Sequence, residues 1–181
     1  IQETGNRKIN PRMVLSQGYE EASRRIFQAS SEPAAGLEGM GTTVVAALVH
    51  EGVLYVGNVG DSRAYLFTQM RLWQMTEDHS LVNEQLRAGL ISEKDVAKFV
   101  GKNVITRSVG FERDVQVDLI ERKVEPGDLY LICSDGLSGL VRDERIAEIC
   151  RTVKPEDIVV ACIEEAKLAG GDDNVTVMVV C

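Results

Sequence analysis

Between positions 42 and 75 the chain runs through closely spaced stretches of β-branched and apolar residues with only turns between them. The stretches are 42–49, 53–58, 63–67 and 72–75, and the breaks hold Glu51-Gly52 and the polar run 68–71. A parallel neighbour needs a crossover of a dozen or more residues, usually a helix. Breaks this short therefore predict an antiparallel meander rather than βαβ units. Antiparallel sheets bury at least one face, so the rest of the chain must supply partners for them.

Those partners are legible as helices. Asn10-Pro11 reads as an N-cap followed by proline at the first helical position. Val14, Leu15, Tyr19, Ala22, Ile26 and Ala29 then recur at helical spacing, with an end by Ser30 before the loop 31–38. Segment 79–88 predicts a helix ended by Gly89, and 92–99 a second short one that opens on Ser92 and Asp95 in near capping-box form. Positions 114–124 alternate as a strand, 125–128 form a turn, and 129–133 read as a buried strand. Asp143 is expected to cap a helix to about Arg151, and Lys154-Pro155 to open one reaching Leu168. Gly170-Gly171 breaks that helix before a last apolar strand at 175–180. No repeat, low-complexity tract or linker divides the 181 residues, which favours one domain, 1–181.

Acidic residues stand where these strands end. Leu131-Ile132-Cys133-Ser134-Asp135-Gly136-Leu137 delivers one carboxylate from an apolar run, with a glycine directly after it. Gly60-Asp61-Ser62-Arg63, Asp78-His79-Ser80 and Asp172-Asp173-Asn174 have the same character. Carboxylates at the ends of buried strands are costly unless a cation or hydrogen bonds compensate them. Several together suggest a site for hard metal ions, which prefer oxygen ligands.

Composition removes some rivals. A net charge of −8 argues against a general nucleic-acid binder, which needs a basic face. Cys133, Cys150, Cys162 and Cys181 contain no Cys-x-x-Cys pair, and with only two histidines a zinc site is disfavoured. Buried free thiols in a reducing cytoplasm suit them better. No run reaches the roughly twenty apolar residues of a membrane helix, and residues 1–10 lack the apolar centre of a signal peptide.

The order and wording of the turns resemble the type 2C family of metal-dependent serine/threonine protein phosphatases, in its compact bacterial form. The resemblance is carried by Gly39-Met40-Gly41-Thr42-Thr43, Gly60-Asp61-Ser62-Arg63, Asp78-His79-Ser80-Leu81-Val82, Ile105-Thr106-Arg107-Ser108-Val109-Gly110, Ser134-Asp135-Gly136-Leu137 and Asp173-Asn174-Val175-Thr176. It implies an α+β fold, a four-layer α-β-β-α sandwich with two mostly antiparallel central sheets. It also implies hydrolysis of phosphoserine and phosphothreonine in proteins by a metal-activated water, using two or three Mn²⁺ or Mg²⁺ ions. The partners implied are phosphorylated proteins, the products of a Ser/Thr kinase, in the cytoplasm. The family's opening strand, with its Arg and acidic pair, and its Asp-Gly-x-Gly-Gly turn have no match here. An N-terminally incomplete domain with a half-built centre and little activity of its own is therefore expected.

The resemblance makes Asp135 and Asp173 metal ligands, and Asp61 a ligand of a third, weaker ion shared with Asp135. Spacing alone does not separate Asp173 from Asp172, and Asp61 also suits a salt bridge or turn bond to Arg63 or Ser62, a role compatible with the first in one fold. Thr42, Thr43, Gly136 and Asn174 are candidates to line the site, though β-branched strand residues need no such role. His79 is either a general acid or a structural group. Segment 81–103 is either a mobile flap beside the site or an ordinary surface excursion. Two other functions stay open: a catalytically inactive phosphatase-like domain serving in binding or regulation, and an unrelated β-rich metal-binding domain.

Overall fold

Two tight hairpins set the architecture. Glu51 and Gly52 both take positive φ, 49° and 76°, the pairing of a two-residue turn whose twist matches the strands it joins. It closes β1 (Val44–His50) onto β2 (Val53–Val59). Gln69 and Met70 repeat the device at 49° and 64°, joining β3 (Arg63–Thr68) to β4 (Arg71–Gln74). A computed structural model describes residues 9–32, 36–96, 98–101 and 103–181. The expected loop around Pro33 and the flap positions Ala97 and Lys102 fall partly or wholly outside those residues, as does most of the polar start.

Three later strands complete two sheets. β5 (Asp118–Lys123) pairs with β2, placing Val56 opposite Ile120. β6 (Leu129–Cys133) pairs with β3, and β7 (Val177–Val180) with β6. The orders are β1-β2-β5 and β4-β3-β6-β7, and every strand pairing is antiparallel. Leu54, Val56, Ala64, Leu66 and Tyr130 fill the space between the sheets.

Helices cover both outer faces. Helix α1 (Pro11–Ser30) starts as the sequence predicts: Asn10 Oδ1 accepts the Met13 N–H at 3.3 Å. It packs Tyr19 against Val59 of the first sheet and against Val109, which bridges to Thr42 beside that sheet. The Tyr19 hydroxyl donates to the Gly57 carbonyl at 2.7 Å and accepts the Ala46 N–H at 3.1 Å. Gly57 leaves the room, since a Cβ there would stand 2.8 Å from the Tyr19 ring. Across the molecule, α5 (Asp143–Thr152) and α6 (Ile158–Leu168) seal Tyr65 and Leu131 under Ile146, Ile158 and Cys162. The molecule is thus a four-layer α-β-β-α sandwich of the α+β class. Cys133, Cys150 and Cys162 are free and buried, and burial pushes the Cys150 thiol up to about 11 and the other two to about 12.

Several boundaries differ from the sequence expectation. Helix α2 is Leu81–Arg87, with Ser80 as its N-cap, so His79 lies outside it and is buried. Helix α3 is one turn, Glu93–Val96, its start held by Ser92 and Asp95. The strand expected over 114–124 begins only at Asp118, because Val115 and Val117 turn to pack against the α1 core. Asp143 is the first residue of α5 rather than its cap, and its carboxylate accepts the Tyr65 hydroxyl at 2.9 Å. A 3-10 turn, Pro155–Asp157, precedes α6. The short α4 (Asp135–Ser138) had no sequence expectation.

Candidate functional site

Strand pairing brings distant acids to one end of the sandwich. Asp61 lies in the turn from β2 to β3, Asp135 stands one residue beyond Ser134 after β6 and opens α4, and Asp173 precedes β7. Because β6 lies between β3 and β7, these three positions share one edge. A cavity of about 500 Å³ is lined by Asp61, Asp135, Gly136, Asp172 and Asp173, together with Asp78 and Arg63. Asp172 and Asp173, inseparable by spacing, both face it. Val82, Val96 and Asn103 from segment 81–103 line its other wall.

Gly136 explains how the Asp135 turn and the Asp173 loop come so close. A Cβ at Gly136 would stand 2.3 Å from the Asn174 carbonyl oxygen. Ser134 stitches the same junction: its Oγ donates to the Asn174 carbonyl at 3.2 Å and accepts the Thr176 N–H at 3.1 Å. Asn174 itself donates its N–H to Asp173 Oδ1 at 2.7 Å, bracing that carboxylate. It is absent from the cavity lining, so it supports the site from behind.

Thr42, Thr43 and His79 are also absent from the cavity lining. Thr43 Oγ1 meets Ser62 Oγ at 2.9 Å, and Thr42 bridges to Val109 through its backbone. His79 is buried against Gly60. Arg63 does not pair with Asp61. Its Nε donates to Asp78 Oδ1 at 2.9 Å and its Nη2 to Asp78 Oδ2 at 2.7 Å, a two-pronged grip. Arg63 Nη1 also donates to the Tyr65 hydroxyl at 2.9 Å. Sequence reasoning gave Arg63 no such role, although it ends one acidic turn and pairs with the acid that opens another.

The electrostatics follow from this crowding. Burial first, then the charge of Asp135 and that of Asp78, hold the Asp61 carboxyl above its ordinary value against the opposing pull of Arg63. A carboxylate pushed this way by a like charge is one that a cation would relieve. The donor chemistry, oxygens in an open cavity, suits a hard divalent ion. Among the described residues, however, no group of three or more His, Cys, Asp or Glu side chains is drawn together closely enough to hold one. The three aspartates fit such an ion in kind, and a complete coordination sphere needs donors beyond them.

Known proteins resemble this chain in sequence and in fold. Residues 2–111 match the family described as Protein phosphatase 2C. The chain is 41% identical over 167 residues to the serine/threonine phosphatase stp of Listeria monocytogenes, covering 92% of this chain and 66% of that protein. The solved structure of the serine/threonine phosphatase Stp1 of Staphylococcus aureus superposes with a TM-score of 0.89 at 30% identity, covering 97% of this chain and 70% of the other. The catalytic domain of the phosphatase PstP in complex with two manganese ions superposes at 0.82 with 34% identity, covering 91% and 68%. The fold is that of the serine/threonine phosphatases. The chain belongs to the protein phosphatase 2C family, and it spans 66% of the length of the stp relative.

Proposed function

We propose that this chain serves in the metal-dependent hydrolysis of phosphoserine and phosphothreonine in proteins. Asp135, Asp173 and Asp61 act as carboxylate ligands of Mn²⁺ or Mg²⁺, with two or three ions in a complete site. The observation that carries this reading is the meeting of the three aspartates, from segments far apart in sequence, on one cavity where Asp135 perturbs Asp61. Bound divalent ions would supply Lewis acidity, lowering the pKa of water and offsetting charge on the phosphoryl oxygens.

The chain's own groups have definite parts. Asp135 faces both neighbours, so its carboxylate is the natural shared ligand. Gly136 permits the close approach of the Asp173 loop. Arg63 is the only cation lining the cavity among the described residues, and it is committed to Asp78 and Tyr65. It holds the frame and is not free to grip a phosphate. The substrates are phosphorylated proteins made by a Ser/Thr kinase, which sets the chain in kinase signalling. Among the described residues no helix is long and apolar enough to cross a membrane. The three buried free thiols support a reducing compartment, the cytoplasm.

One observation favours a second reading. The lack of a three-ligand group among the described residues suits a phosphatase-like domain that binds phosphoproteins without cleaving them. Incubating the purified chain with Mn²⁺ and a phosphothreonine peptide separates the two. Phosphate release that Asp135→Asn abolishes supports hydrolysis. Saturable peptide binding without release, unaffected by Asp135→Asn, favours the binding role.

A further inference from the structure

We propose that His79 is a positioning residue whose imidazole clamps Gly60 and so fixes where the Asp61 carboxylate stands in the cavity. The inference rests on the metal-ligand reading of Asp61, and its test separates the two.

The need for a clamp comes from Gly60. Its φ is 108°, and a Cβ there would stand 2.3 Å from Thr43 Cγ2. Glycine alone fits this turn, yet glycine is also the most freely rotating residue in the chain. It permits the turn without holding it. The next residue, Asp61, is repelled by Asp135 across the cavity. Without a restraint at Gly60, that repulsion would swing Asp61 away from the place where the two acids share a ligand.

His79 supplies the restraint twice over. Its backbone N–H donates to the Gly60 carbonyl at 3.0 Å, and the Gly60 N–H donates to its ring Nδ1 at 3.0 Å. Both backbone polar groups of the glycine are held by one residue, which is itself only 6% exposed. A nitrogen that accepts carries no proton, so the neutral ring has its hydrogen on Nε2. That hydrogen points to Asp118 Oδ2 at 3.1 Å. Arg107 Nη1 lies 3.0 Å from the same Nε2, but two donors do not bond each other. Arg107 instead donates to Asp118 Oδ1 at 2.8 Å. Asp118 therefore fixes both the tautomer and the orientation of the ring, and Arg107 fixes Asp118.

The clamp is also anchored in the frame. Asp118 opens β5 opposite Asn58 of β2, two residues before Gly60. Thr106 donates its N–H to the His79 carbonyl at 2.9 Å. The ring thus joins the strand that delivers Asp61 to the strand and loop beside it. Both ring nitrogens are engaged, and His79 does not line the cavity. A general-acid role is therefore replaced by one exerted through Gly60.

The test uses the ¹⁵N-labelled 181-residue chain as wild type, His79→Ala and His79→Asn. The asparagine oxygen takes the place of Nδ1 as acceptor. In His79→Ala, amide exchange at Gly60 and Asp61 should quicken about tenfold or more while Leu131 in β6 is unchanged, and His79→Asn should restore most of the protection. Mn²⁺ titration, read as paramagnetic broadening of the Asp61 amide, should show an affinity about tenfold weaker in His79→Ala and near wild type in His79→Asn. Unchanged exchange at Gly60 and Asp61 overturns the clamp, as does equal acceleration of Leu131 in both variants, which marks a merely structural histidine. Equal Mn²⁺ affinity in wild type and His79→Ala overturns the link to the ion. If wild type shows no broadening at Asp61, the metal reading fails instead, and exchange alone then decides the clamp.

Discussion

Gly136→Ala should pry the two C-terminal acids apart. Gly136 lies in the short helix α4, where alanine is the better helix former by about 1 kcal/mol. Sterics oppose that gain. The new Cβ would stand 2.3 Å from the Asn174 oxygen and 2.9 Å from its carbonyl carbon, where ordinary contact begins at 3.4 Å. Both atoms are backbone, so no rotamer change relieves them, and the 172–174 loop must retreat by about 1 Å. Overpacking of this kind costs about 1–3 kcal/mol. The retreat also strains the bonds from Ser134 Oγ to Asn174 and from Thr176 to Ser134 Oγ, worth about 0.5–1 kcal/mol each at this exposure. The net loss is about 2 kcal/mol, which lowers the urea midpoint by about 1 M. A displacement of that size between Asp135 and Asp173 should lower any Mn²⁺-dependent phosphate release by on the order of 10²-fold. Urea denaturation followed by fluorescence reads the first effect, and release from a phosphothreonine peptide reads the second. An unchanged urea midpoint, with the Thr176 amide as protected as in wild type, would refute the argument that the two loops touch through Gly136.

Gly18 provides the opposite case: it is exposed in the middle of α1, and nothing lies within 4 Å of where an alanine methyl would sit, so Gly18→Ala should stabilise the chain by about 0.5–1 kcal/mol in a thermal melt. Tyr65 is wholly buried with its hydroxyl between Arg63 and Asp143, and Tyr65→Phe should cost about 1–3 kcal/mol; a loss within error would mean the Arg63 grip on Asp78 suffices alone. The Asp61 carboxyl is raised by burial and by Asp135, so its contribution to stability is present below the unfolded-state pKa and is lost as pH rises through the folded one. In chelator, Asp61→Asn should match wild type in acid and exceed it at neutral pH, and a gain confined to acid would contradict the crowding. Ala47, Val49, Met178 and Val180 point between the sheets yet are exposed at the open β1 and β7 edges. The chain should therefore associate at micromolar concentration, and Val49→Lys with Met178→Lys should suppress it in sedimentation velocity. Equal behaviour of the two proteins would show that these edges are not sticky.

Local features were the legible ones. The first helix could be placed to the residue because Asn10 and Pro11 fix its start through contacts within one turn. The hairpins were legible because two-residue turns leave no other connection. Errors arose where a distant contact overrode a local pattern. His79 continues a helical run in sequence, but Gly60 and Asp118 draw it out of α2. Val115 and Val117 alternate like strand residues, but α1 claims them. Helix α4 is a single turn with no period to detect.

The candidate site divides along the same line. The candidate carboxylates are written at strand ends, because a buried run that stops at an acid announces an unusual electrostatic cost. How they meet is not written locally, since it depends on β6 lying between β3 and β7. What holds each acid in place is less local still. Gly136 reads as a turn glycine until the Asn174 carbonyl is seen against it, and Arg63 reads as a partner for Asp61 until Asp78 is seen to occupy it. In both cases the sequence names a candidate ligand and the tertiary structure names its restraint. Carboxylates that repel one another cannot set their own geometry. The groups behind them, Gly136 with Ser134 on one side and His79 with Asp118 on the other, are therefore where changes should alter the site without removing any acid from it.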